Sequence, residues 1–130
     1  MAHAGKLADT SSASKGLSER QLAKTLAWQT AAAKKGTLRN AGRRSIGKAD
    51  QATIGKVSKK FVGRQGVKIG DNRIAGLQRD GFWHSYRTPK GATKANGRWG
   101  ANFEVFKSKP SAKGQSYGKG KIYNGHAGKV

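Results

Sequence analysis

Arg98-Trp99-Gly100-Ala101-Asn102-Phe103-Glu104-Val105-Phe106-Lys107 is the stretch whose reading decides the fold. Trp99, Ala101, Phe103 and Val105 alternate with Arg98, Asn102 and Glu104. A period of two marks a strand with one buried face. Pro110 ends it, because proline has no N–H to give to a strand ladder. Upstream, residues 82–87 repeat the pattern, with Phe82, His84 and Tyr86 on one face and Trp83, Ser85 and Arg87 on the other. Two turn signals, Gly70-Asp71-Asn72 and Arg79-Asp80-Gly81, separate shorter apolar runs at Val67-Lys68-Ile69 and Arg73–Leu77. Residues 89–97, bracketed by Pro89 and Asn96-Gly97, read as a loop. Residues 64–110 are therefore expected to form a small antiparallel sheet.

On the N-terminal side the period changes to that of a helix. Ser18 is followed three residues later by Gln21, the spacing of a capping box, and Leu17 and Leu22 sit where a hydrophobic staple would. The first helix is expected over about 19–35, with Lys34 and Lys35 at its negative end and Gly36 as the stop. Its apolar face is thin, Leu22, Leu26 and alanines, and Trp28 lies off that line. A second helix is expected over about 51–62, opened by Asp50 and closed by Gly63. Ile54, Val57 and Phe61 form its buried stripe, while Lys56, Lys59 and Lys60 project the other way. These helices make up a helical segment, residues 17–63, whose connector at 36–48 is basic.

The ends lack such periodicity. Residues 1–16 read as a disordered basic arm, and residues 111–130 as a Gly/Lys-rich tail with Ile122-Tyr123 as a short edge strand. The fold class that results is α+β: two N-terminal basic helices, then a small antiparallel sheet, with extended or disordered basic termini.

Charge dominates the composition. Of 130 residues, 27 are Lys or Arg and 6 are Asp or Glu, a net charge of +21. The halves 1–65 and 66–130 carry +11 and +10, so the excess is not a tail effect. Self-repulsion of that size opposes a compact state unless a polyanion neutralises it. Nucleic acid does so, with counterion release as a gain. A membrane surface would need a broad apolar helical face, and only short stripes are present. No run is long enough to span a bilayer, and the N-terminus has no hydrophobic signal segment. With no cysteine and three scattered histidines, His3, His84 and His126, neither a disulfide framework nor a metal site is expected, and no cofactor.

The leading expectation is a non-enzymatic, largely sequence-nonspecific nucleic-acid-binding protein of architectural or packaging type. In composition it is similar to ribosomal and internal virion proteins. Its place would be the cytoplasm or a nucleoprotein particle. The phosphate contacts would come from Lys6, Lys15, Arg39, Arg43, Arg44, Lys56, Lys59, Lys60, Arg87, Arg98, Lys119 and Lys121. Trp83 and Tyr86 would stack bases, unless they serve the core instead.

Two further classes are consistent with the same residues. Glu104, His84 and Arg87 supply the base, acid and cation that RNA cleavage needs, as in a small toxin-like ribonuclease. Alternatively, the chain is a structural subunit, as of a phage particle, whose tails thread between other subunits of the assembly.

Overall fold

In the computed structural model, residues 16–38, 44–88, 100–112 and 120–130 are described. The elements, in chain order, are α1 (Glu19–Lys34), β1 (Arg44–Ala49), α2 (Gln51–Val62), β2 (Val67–Ile69), β3 (Arg73–Leu77), β4 (Trp83–Arg87), β5 (Gly100–Phe106) and β6 (Lys121–Lys129). The strands form one mixed sheet in the order β1-β6-β5-β4-β3-β2. β1 runs parallel to β6 and every other pair is antiparallel. The loop expected at 89–97 and all but the last residue of the expected N-terminal arm lie outside the described residues.

Both helices begin where their caps dictate. The Ser18 hydroxyl accepts the Gln21 N–H at 3.1 Å, and the Gln21 side chain accepts the Ser18 N–H at 2.9 Å. In α2 the Asp50 carboxylate accepts the Thr53 N–H at 2.8 Å. Each cap satisfies donors that a helix start leaves without partners. Gly63, at φ +88°, ends α2 in a conformation that a side chain would strain.

The helices cover one face of the sheet. Leu22, Leu26 and Ala33 of α1 and Ile54, Val57 and Val62 of α2 meet Tyr86, Ala101, Phe103, Val105, Tyr123 and Ala127 from the strands. Phe103 is the hub, with ring centroids 5.4 Å from Phe61 and 5.1 Å from Tyr86 in edge-to-face packing. The Tyr123 hydroxyl donates to Gln29 Oε1 at 2.7 Å, and Gln29 Nε2 donates to the Ser45 carbonyl at 3.3 Å. α1 is thereby tied to β6 and β1 by satisfied polar groups. Trp28, 69% exposed, takes no part in this core.

The α+β class holds, with two corrections. The helices do not precede the sheet as a block, because β1 forms inside the expected basic connector at 36–48 and separates α1 from α2. The sheet is neither small nor wholly antiparallel, because β6 runs through the expected tail and is an interior strand between β1 and β5. Glycine and alanine conceal β6 in the sequence, since both disfavour strands in isolation. They suit an interior position: a side chain on Gly125 would collide with the Tyr123 ring.

Candidate functional site

Among the described residues the other face of the sheet carries no helix, and its chemistry differs from that of the core. Strand register places Arg73, Ser85, Arg87, Asn102, Glu104, Asn124 and His126 on it. Their neighbours in sequence, Ile74, His84, Tyr86, Phe103, Val105, Tyr123 and Gly125, point to the helices, as alternation requires. An irregularity beside Val105 and Phe106 lets Lys121 reach the polar face as well.

Glu104 is the centre of the cluster and has no exposed surface. Its Oε1 accepts from Arg73 Nη2 at 2.9 Å and from the Ser85 hydroxyl at 3.4 Å. Its Oε2 accepts from Lys121 Nζ at 3.4 Å and lies 3.8 Å from Arg87 Nε. Three cations thus surround one carboxylate, leaving a local excess of positive charge. Arg73 is 3% exposed and fixed further by the carbonyls of Ser111 (3.1 Å) and Ala112 (2.7 Å). Arg87 and Lys121, at 38% and 16%, stand at the solvent edge.

The cluster is not fully satisfied. Arg87 Nε and Asn124 Oδ1 are buried atoms with no hydrogen-bond partner among the described residues. Asn124 lies directly across from Glu104 in the ladder. Buried polar atoms normally find partners, and the exceptions gather at functional sites. Beside them the surface is floored by Gly100 and Gly128, which face each other across β5 and β6. His126, half-buried, lays its ring over Gly100, and the stem of Lys48 crosses Gly128.

At the opposite end this face is closed by the chain leaving β5. Phe106 is fully buried and Pro110 is buried. Arg73 stacks over Phe106 with 5.8 Å to the ring centroid, and Lys109 sits 5.9 Å above Trp83. Among the described residues, the open part of the face is therefore the end where Arg87, Asn102 and His126 are partly exposed.

The residues proposed from sequence divide among several places. Arg87 and Lys121 meet at the cluster, and Glu104 is its centre. Trp83 is on the same face, at the closed end. Tyr86 faces the helices at 8% exposure and packs edge-to-face on Phe103. Lys56, Lys59 and Lys60 are exposed on α2, in the other layer, and Lys60 pairs with Glu19 at 2.7 Å. Arg44 begins β1 and is half-buried. Lys6, Lys15, Arg39, Arg43, Arg98 and Lys119 lie outside the described residues. Sequence reasoning missed Arg73, Ser85, Asn102, Asn124 and His126. The signal for the last two was the alternation of Tyr123, Gly125 and Ala127 with Asn124, His126 and Gly128, weakened by its glycines.

His84 does not join Glu104. It is on the helix face, stacked on Phe61 with centroids 4.2 Å apart. Lys34 Nζ donates to its Nε2 at 2.8 Å, so the ring is neutral and its Nδ1–H donates to the Phe61 carbonyl at 2.9 Å. Burial pushes its pKa down to about 4; the Phe61 carbonyl opposes the shift, the Lys34 charge adds to it and Asp80 opposes it. The unfolded chain would take up this proton near pH 6.5, before the folded one does. Stability is thus complete above that pH and falls as pH drops toward 4. The expected loss by pH 5 is on the order of 1 kcal/mol, after allowance for solvent at this half-buried ring. Urea unfolding at pH 7 and pH 5 checks it, and a His84→Gln variant should show a flatter dependence.

Among the described residues, no group of three or more His, Asp or Glu side chains comes together as a metal site would require. No helix among these residues is long and apolar enough to cross a membrane. Comparison with known protein families, curated proteins and solved structures returns no match to this chain.

Proposed function

We propose that this protein binds nucleic acid, and that the open face of its sheet is where a phosphodiester group docks. One observation carries the reading: Arg87 and Lys121 stand at the solvent edge of a cluster in which three cations share a single carboxylate, and Arg87 Nε, 3.8 Å from Glu104, has no hydrogen-bond acceptor among the described residues. An incoming phosphate would supply acceptors to Arg87 and Lys121, and guanidinium recognises such oxygens through paired N–H bonds. The net charge of +21 supplies the long-range attraction. Such contacts read the backbone and not the bases, so little sequence preference is expected.

An architectural or packaging role would use the same forces in another distribution. Contacts would be spread over both layers, including Lys56 and Lys59 on α2. Two double variants of equal charge change separate the cases. Arg87→Ala with Lys121→Ala is expected to weaken binding to single-stranded RNA by more than about tenfold. It should also reduce the slope of log affinity against log salt by roughly one for each phosphate no longer engaged. Lys56→Ala with Lys59→Ala should cost only a few-fold. Equal losses in the two variants would place binding across the whole surface and remove the docking face.

A further inference from the structure

We infer that the open sheet face is a catalytic centre that cleaves RNA, with Glu104 and His126 as its proton-transfer pair. The inference rests on the phosphate-docking reading above and adds chemistry to it. Strand scission beside a ribose needs a group to remove the 2′-hydroxyl proton, a group to protonate the departing 5′-oxygen, and positive charge at the phosphate between them. This face brings all three onto one surface; the Asp80–Lys34–His84 contact also joins a carboxylate, a cation and an imidazole, but on the helix side of the sheet, away from Arg73, Arg87 and Lys121. Glu104 is directly opposite Asn124, and His126 is directly opposite Asn102, so Glu104 and His126 are diagonal neighbours on adjacent strands of the same face. Side chains in that relation lie within reach of a single bound group. His84, which residue type alone would nominate, is behind the sheet with its Nδ1 and Nε2 both occupied by Phe61 and Lys34.

The supporting residues have separable tasks. Arg73 and Ser85 hold Oε1 of Glu104, which leaves Oε2 toward Arg87 and Lys121. Glu104 has no exposed surface while Arg87 and Lys121 hold Oε2, so the step requires that both turn to the oxygens of an arriving phosphate and uncover Oε2 for the 2′-hydroxyl proton. Gly100 leaves room for the His126 ring, since a methyl group there would occupy the ring's position.

The step balances without any other reactant. The 2′-oxygen forms a bond to phosphorus as its proton passes to the Glu104 carboxylate. The bond from phosphorus to the 5′-oxygen breaks, and that oxygen takes a proton from the His126 imidazolium. The products are a 2′,3′-cyclic phosphate and a 5′-hydroxyl end. DNA, which lacks the 2′-hydroxyl, can bind but not react.

The test uses the full chain and three short single-stranded oligonucleotides of one sequence: RNA, 2′-O-methyl RNA and DNA, with a chelator present. The RNA is expected to be cut with cyclic-phosphate and 5′-hydroxyl ends, while the other two are bound and remain whole. His126→Ala and Glu104→Gln should each lower the cleavage rate about a hundredfold or more, the usual scale of a lost acid or base. Both should still bind 2′-O-methyl RNA, and thermal unfolding shows whether each variant is folded. Since His126 is half-exposed, its variant serves even if Glu104→Gln fails to fold. RNA that stays whole although 2′-O-methyl RNA is bound overturns the catalytic inference and leaves the binding reading standing. No binding to any of the three overturns both. Cleavage that survives in folded His126→Ala at the original rate also overturns the assignment.

Discussion

Arg73→Met is expected to cost about 3–5 kcal/mol of folding stability, enough to leave a domain of this size largely unfolded. The reason is not the ion pair by itself. Exchange of a whole buried pair for apolar residues is often neutral, but removal of one partner strands the other. Without Arg73, the Glu104 Oε1 keeps only the Ser85 hydroxyl at 3.4 Å, inside a site with no exposed surface. The carbonyls of Ser111 and Ala112 lose their shared donor as well. Urea unfolding of the variant should show a large fall in midpoint, or no transition at all. Arg73→Met combined with Glu104→Leu should lose less than Arg73→Met alone, because no charge is then stranded. A single variant within about 1 kcal/mol of the parent would mean that Lys121 and Arg87 compensate the carboxylate unaided.

Phe103→Ala is expected to have an effect of similar size, about 3–5 kcal/mol, by a different route. Phe103 is wholly buried at the meeting point of α2, β4 and β5. Its edge-to-face contacts with Phe61 and Tyr86 add to the burial term. The hole left behind could not close easily, because β6 across from it offers only Gly125. The thermal midpoint should fall by more than about 10 °C. Phe103→Leu, which keeps most of the volume, should lose much less. Since Phe103 has no part on the polar face, the nucleic-acid binding proposed above should, at low temperature, outlast the loss of thermal stability.

The sequence made some of this legible and concealed the rest for physical reasons. Local signals were readable: the Ser18–Gln21 capping box, the Asp50 cap, the α2 stripe, and the two-residue alternation in β4 and β5. Each depends on neighbours within a few positions. β1 and β6 were hidden because their pairing is with each other, across about eighty residues of chain. Gly47, Gly125 and Gly128 carry no propensity toward that pairing. The same concealment governed part of the candidate site, since Asn124 and His126 lie on β6; Glu104 and Arg87 were singled out for their charge, while Ser85 and Asn102 on the same two strands, neutral and small, were passed over. His84 drew attention by residue type, yet its place in the alternation, beside Tyr86 and opposite Val105, already set it on the core side.

The position of β6 has a consequence for how the molecule comes into being. The strand bonded to both β1 and β5 is made from residues 121–129, so a growing or threading chain cannot complete its sheet until that stretch is free. Until then β1 has no partner strand, and contacts so distant in sequence make assembly slow. Lys121, Asn124 and His126 arrive with the same stretch. The polar face is therefore finished in the act that finishes the fold.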